Sequence, residues 1–461
     1  MKYKVCLCVI SIYGFFQIAE LHSASLEITN DYQLKGISYP NLDFDTSVST
    51  DARSFYSSRL RVSLVGKFAP GIEVHTRLQA IGVVGSTTTP TDFSWQREYP
   101  YPNINHVPFI ENAYIKADNF GGYPVTIIIG RQPLEYGDGL IVSDNGSGLN
   151  ALRFIMRHPQ LYNLKTDVFT AKTIEKFTPS SDADITGVVV SFEPKKILFE
   201  TGYFNEVDGS GSIYRLPSTR ISPATKQIIK SFYDLRLRKP LIGGFYSVEY
   251  AIQKGKIISS TGEEYRLDGS ACLLRGQLSS KKTNLGRFTA NASLMTSSGD
   301  RMFAVTNNAE DRRFTPAYTK KYDGLTRSGL IGGEFMGITT YDTFWDNIWE
   351  YFSGFGFINL GAVFSPWYGW EFGTAYFLYS AADVNYFINE PFAPKSSNFE
   401  KLYLNQKFNL GIELNLSMKF IHSKYLDFKL LYARYTPPTF PDVWLNKEPS
   451  EYFLFETNCR F

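Results

Sequence analysis

Arginines two residues apart are the first feature that could do chemistry. Arg59 and Arg61, and again Arg236 and Arg238, share one side of an extended chain, and Arg77 and Arg153 hold comparable places in other segments. A guanidinium is planar and always charged, so it grips carboxylate or phosphate through two parallel N–H bonds. A ring of such groups around a passage selects anions. Polar positions of the same alternating segments also carry Glu73, His75, Asp234, Glu249, Arg266, Asp268, Arg287, Glu413 and Lys419. The arginines could instead pair with the acids among these and brace a wall. Both readings stand on the sequence.

Other chemistries find no support. There is no GxSxG, no HExxH and no comparable nucleophile motif. Glu263 and Glu264 are adjacent, so they fall on opposite faces of a strand, unsuited to paired acid–base work. The glycines of 208–212 follow a strand and open no helix, which makes them a loop rather than a phosphate cradle. Of the four cysteines, Cys6 and Cys8 lie in the N-terminal apolar stretch, while Cys272 and Cys459 are far apart. The histidines at 22, 75, 106, 158 and 422 are scattered. No disulfide framework, metal centre, cofactor or enzymatic activity is expected. A net charge of +2 gives no bulk attraction to nucleic acid.

The elements that must hold these side chains alternate with a two-residue period. In 407–420, Phe408, Leu410, Ile412, Leu414, Leu416, Met418 and Phe420 share one face, and Lys407, Asn409, Glu413, Asn415, Ser417 and Lys419 share the other. No amphipathic helix can satisfy that spacing. Residues 59–68, 72–79 and 245–253 repeat it, and about 18 such segments run from 26–37 to 450–461. Short connections, such as 69–71, 158–160, 194–195, 365–367 and 422–425, alternate with long polar ones at 84–108, 207–229, 299–354 and 383–404.

A transmembrane barrel produces this asymmetry, with tight periplasmic turns and long extracellular loops. Strands of about 9–11 residues suffice to cross when tilted. A soluble sandwich has no reason to alternate its connection lengths. The expected fold is therefore all-β, a single barrel of about 18 antiparallel strands over residues 25–461, too wide for side chains to fill. Composition agrees: 16% aromatic and 20% charged residues in a 461-residue chain average a lipid-facing and a wet face. The many Phe and Tyr are expected on the outer band and at the membrane interfaces.

The two ends fit an exported barrel. Residues 1–24 read as a signal peptide, with Lys2 and Lys4 ahead of an apolar run from Val5 to Phe16. The last segment places Phe453, Phe455, Thr457, Cys459 and Phe461 on one face and ends on an aromatic. That is the kind of strand by which the barrel-assembly machinery recognises its substrates, so this machinery and outer-membrane lipid are the expected partners, in the bacterial outer membrane.

The block from Glu111 to Phe154 is more specific. It contains Gly130-Arg131-Gln132, Tyr136-Gly137-Asp138 and Asn150-Ala-Leu-Arg153, and it resembles the alginate-export family of outer-membrane proteins. Ser58-Arg59-Leu60-Arg61, Ser298-Gly299-Asp300, Phe314-Thr-Pro-Ala-Tyr318, Tyr322-Asp-Gly324 and Leu430-Leu-Tyr-Ala-Arg434 are further echoes. The resemblance implies an 18-stranded barrel that passes anionic polysaccharide through an arginine-rich constriction. It makes Arg61, Arg131, Arg153 and Arg434 the constriction candidates. Alternation alone sends Arg131 and Arg434 outward; a bulge near Gly130, or a position above the lipid band, would reconcile Arg131 with the family's pattern. Glu135 and Asp138 could pair with the arginines or simply hold their loop.

The function expected is a passive channel with an arginine-lined lumen for anionic solutes, such as an acidic polysaccharide like alginate. The alternative is a general or small-solute porin. Any gate must come from the external side, where loop 299–354 is longest. Its 341–352 aromatic run could fold into the mouth or lie at the lipid interface.

Overall fold

The computed structural model describes residues 25–39, 53–84, 106–144, 148–174, 182–210, 225–299, 310–319, 352–384, 408–436 and 449–461. The expected signal peptide and residues 341–351 of the aromatic run lie outside these. The wall begins with β1 (Ser25–Tyr39), β2 (Arg53–Ala69), β3 (Ile72–Val83), β4 (Phe109–Ala117) and β5 (Val125–Gln132). It continues through β6 (Leu149–His158), β7 (Leu164–Ile174), β8 (Ala183–Phe192) and β9 (Leu198–Asp208). Next come β10 (Thr225–Leu241), β11 (Gly244–Ser259), β12 (Glu264–Ser279), β13 (Arg287–Ser297) and β14 (Phe352–Ser365). The last four are β15 (Trp370–Val384), β16 (Phe408–Ser423), β17 (Leu426–Thr436) and β18 (Ser450–Arg460).

Each strand pairs antiparallel with the next, and β1 pairs with β18 from Asp31 opposite Arg460 to Ser38 opposite Phe453. The result is a closed 18-strand barrel. Closure leaves no unpaired backbone edge, which is what allows strands to cross a bilayer at all. Among the described residues no helix is long and apolar enough to cross one.

Alternation sorts the two faces as the sequence requires. On β16, Glu413 and Asn415 are buried on the lumen side, while Leu414 and Leu416 are exposed on the outside. On β18, Tyr452 and Leu454 point in, and Phe453 and Phe455 point out. Aromatic rings ring the end with the tight turns: Phe192 stacks on Phe199 at 5.2 Å, and Trp370 packs on Phe420 at 4.7 Å. Such rings prefer the membrane–water boundary. One connection breaks the rule of lengths. Residues 260–263 make a tight turn at the long-loop end, closed by Ser259 N–H to Glu263 O at 2.9 Å.

Two expectations need correction. Arg266 and Asp268 do not face the lumen, because Leu267, Ala271 and Leu273 are the buried, inward set on β12. Strands β10, β11 and β12 run 17, 16 and 16 residues. They exceed the crossing length, so their outer thirds stand clear of lipid and carry outward charge without the ~2–4 kcal/mol penalty of the midplane. Aromatics are not confined to the outside either. Phe357, Phe377, Tyr379, Tyr435 and Tyr452 face inward and are buried, since the lumen holds folded chain that needs an apolar surface to pack on.

Candidate functional site

Between β5 and β6 the chain turns into the barrel. Its root is tied by Asp144, whose Oδ2 accepts the backbone N–H of Leu134 at 3.1 Å and of Gly148 at 2.8 Å. Tyr136 N–H donates to Val142 O at 3.2 Å, and Glu135 forms a bridge with Ser143, so the segment is a short hairpin. Leu134, Tyr136, Leu140, Ile141 and Val142 are buried along it. An inward loop must carry its own apolar residues, because its backbone groups have left solvent.

Tyr136 fastens the hairpin to the near wall. Its ring stacks on Phe169 at 5.0 Å, and its hydroxyl donates to Asp167 Oδ1 at 3.3 Å. Asp167 in turn holds Arg153, with Nη2 to Oδ2 at 2.5 Å and Nε to Oδ1 at 2.9 Å. Burial pushes the Tyr136 phenol well above its usual range; Arg153 opposes the rise and Asp167 adds to it. The hydroxyl therefore stays a donor at any physiological pH.

The hairpin tip, Gly137-Asp138-Gly139, reaches the wall of β9–β12. Asp138 Oδ1 accepts Arg236 Nη2 at 2.9 Å and Arg275 Nη1 at 2.8 Å. Ser247 Oγ donates to Oδ2 at 2.7 Å. The tip's own backbone donates in the other direction: Gly137 N–H to Glu200 Oε1 at 3.1 Å, and Asp138 N–H to Glu249. Gly137 is required here on two counts. Its φ is +64°, and a Cβ would lie 2.6 Å from Glu249 Oε1.

A second segment enters from the 299–354 loop. Glu310–Asp311 pairs in parallel with Arg266 and Leu267 at the top of β12. The chain then dips inward, where Phe314 packs edge-on against Phe232 at 6.2 Å and Thr315 N–H donates to Gln253 Oε1 at 2.7 Å. Tyr318 and Thr319 pair in parallel with Val142 and Ser143 of the hairpin. The two infolded segments thus form one body inside the lumen.

The candidate arginines divide by what they meet. Arg61 is held by Glu111 at 2.6 Å and by Gln79 at 2.6 Å, and Arg59 lies 3.6 Å from Asp31. Arg153 and Arg236 hold the hairpin. Arg77 donates to Ser63 Oγ at 3.1 Å, and Arg238 lies over the Phe245 ring at 4.1 Å. Among the described residues neither of these two has a carboxylate within ion-pair reach. Asp138 is the tip carboxylate, and Glu135 is an exposed residue of the hairpin edge.

Arg131 and Arg434 are corrections to the lumenal set. Arg131 lies opposite Ala113 and Asn150, in phase with the exposed Ile129, and donates Nε to Glu111 O at 3.0 Å. Gly130 takes φ +121°, but no register shift follows to turn the next side chain inward. Arg434 lies opposite the exposed Leu414, between the buried Ala433 and Tyr435. Both sit at the long-loop ends of their strands, above the lipid band, where an outward arginine is tolerated.

No family model and no curated protein matches the chain. Among solved structures it is similar to OccAB2 of Acinetobacter baumannii, at 9% identity and a TM-score of 0.54 over 95% of this chain and 98% of that one. It is also similar to OpdK, an outer membrane protein of Pseudomonas aeruginosa, at 9% and 0.52 over 94% and 99%. OccK8 (OprE) of the same organism gives 10% and 0.50 over 95% and 98%. The chain therefore has the fold of bacterial outer-membrane barrels, and its outer apolar belt places it in the bacterial outer membrane.

Sequence reasoning missed five partners: Glu111, Asp167, Glu200, Ser247 and Arg275. Arg275 shares the phase of the buried, inward Leu273, so a rule that sends apolar side chains to lipid gives it no place in the lumen. The Gly-Asp-Gly tip carried a usable signal, since two glycines around one acid mark a turn that presents a carboxylate.

Proposed function

We propose that the protein is a passive outer-membrane channel for anionic solutes. The observation that carries this is the pair Arg77 and Arg238, two lumen-facing guanidiniums whose partners are a hydroxyl and an aromatic ring. They stand on β3 and β10, seven strands apart by the numbering above, Arg77 at the middle of its strand and Arg238 near the tight-turn end of its own. A solute anion between them meets positive charge already in place and not neutralised by the wall. Arg59 and Arg61, partly exposed beside their acids, extend the same surface.

The infolded hairpin and the 310–319 segment favour a solute that is small or passes as a single extended chain. The likeness to the alginate-export family at Gly130-Arg131-Gln132, Tyr136-Gly137-Asp138 and Arg153 supports an acidic polysaccharide as that chain. One solved structure of OpdK carries vanillate, a small carboxylate, which supports the small-solute alternative. Outer-membrane lipid and the barrel-assembly machinery, the latter through the strand leading to Phe461, belong to the same reading as partners.

Reversal potential in a planar bilayer tests it. Under a salt gradient the protein is expected to prefer anions, and Arg77→Ser with Arg238→Ser together should lower that preference severalfold. A cation-preferring pore, or one indifferent to both substitutions, refutes the reading.

A further inference from the structure

The socket that receives Asp138 is built as a carboxylate site, and its present occupant is part of the chain. Two guanidiniums and a hydroxyl converge on one carboxylate: Arg236 at 2.9 Å, Arg275 at 2.8 Å and Ser247 at 2.7 Å. Beside it, Glu200 and Glu249 accept the backbone N–H groups of Gly137 and Asp138. Asp234 lies on the same strand as Arg236 and is buried, and its Oδ1 has no hydrogen-bond partner among the described residues. A group occupying this socket must therefore offer one carboxylate and adjacent hydrogen-bond donors.

The two ends of the hairpin differ in how they are held. The root is tied through backbone groups to Asp144 and through Tyr136 to Asp167, contacts that a solute in the lumen cannot imitate. The tip is held by a free-standing side chain and two N–H groups, which a solute can imitate atom for atom. It is also flanked by glycines at φ +64° and +82°, so it can leave without side-chain rearrangement of its own.

We propose that Asp138 is a tethered stand-in for solute, and that hydroxy- or amino-carboxylates open the lumen by displacing it. The incoming carboxylate takes Arg236, Arg275 and Ser247. Its hydroxyl or ammonium donors satisfy Glu200, Glu249 and Asp234. With its anchor taken, the hairpin tip lifts off the β9–β12 wall while its root stays fixed. Binding and opening are then one event, because solute and tip compete for the same atoms. This rests on the channel reading above and adds to it a recognition site and a gate.

The test uses the whole protein in planar bilayers at constant ionic strength, with gluconate, acetate and glucose as probes. Gluconate combines a carboxylate with hydroxyl donors, acetate has only the carboxylate, and glucose only the hydroxyls. Gluconate is expected to raise occupancy of a larger-conductance state saturably, acetate to do so weakly, and glucose not at all. In Asp138→Asn that state should be populated about tenfold more often without any probe, the shift expected for loss of charge-assisted contacts. A disulfide between Asp138→Cys and Ser247→Cys should hold the small-conductance state against gluconate until it is reduced.

An anion-preferring wild type that Asp138→Asn leaves unchanged in conductance and gluconate response overturns the gate alone. So does an oxidised double-cysteine protein that still responds. A cation-preferring wild type, seen in the reversal potential before any probe is added, overturns the channel reading and this inference with it.

Discussion

The wall of β1–β4 and the wall of β9–β12 both carry inward arginines, and they use them differently. On the first, each arginine meets its own neighbourhood: Arg59 lies near Asp31 one strand away, Arg61 binds Gln79 and Glu111 one and two strands away, and Arg77 binds Ser63 directly across. On the second, Arg236 and Arg275 meet a carboxylate delivered by a loop, 98 and 137 residues away in sequence. A wall that pairs with itself is braced whatever passes through it. A wall that pairs with a loop loses most of its bracing when the loop leaves, keeping Arg236 beside Glu200 at 3.6 Å.

The hairpin root offers the largest effect. Asp167→Ala leaves Arg153 without its buried partner and Tyr136 without its acceptor, which should cost about 3–5 kcal/mol. A lower melting point in detergent, read from heat-modifiable gel mobility, checks this, and an unchanged midpoint would show the root is not a fixed end. Next is Arg275→Ala, which removes one of two guanidiniums from Asp138 while the other remains. The loss should be about 1.5–3 kcal/mol of tip docking, seen as more frequent large-conductance openings with no fall in melting point. A fall in stability instead would mean that the two walls are braced alike.

Glu111→Gln sharpens the other side. It frees Arg61 from its acid on the self-paired wall, and anion preference should rise modestly while the gate behaves as in the wild type. The smallest effect belongs to the outer face. Lys254→Ala breaks an exposed pair with Asp268, 2.6 Å apart on the outside of the barrel, and should change stability by at most about 1 kcal/mol. Selectivity should not move, because that side chain never sees the lumen.

The same contrast explains how far the sequence could be read. A period of two fixes which face a residue takes, so the strands from 26–37 to 450–461 and the inward Arg61 and Arg153 were legible. Even the outward phase of Arg131 was visible in Ile127 and Ile129. What a period cannot carry is the identity of a partner outside the sheet. Asp138 belongs to a loop whose depth in the lumen depends on Tyr136 packing and on Glu249 accepting its backbone, neither of which has a periodic signature. Arg266 was misplaced for a related reason. Polarity marks the lumen only where the other face meets lipid, and on strands that outgrow the bilayer the outward face is wet as well.

The pairing of β1 with β18 sets an order in time. Gln33 on the first strand donates to Glu456 and Asn458 on the eighteenth at 3.1 and 3.0 Å, across more than 400 positions of chain. Until the strand ending at Arg460 is made and delivered, the other seventeen have two raw edges with nothing to bond. Contacts this distant in sequence form slowly, and raw edges recruit other chains. The barrel therefore passes its most dangerous moment last, and its survival depends on how briefly that seam stays open.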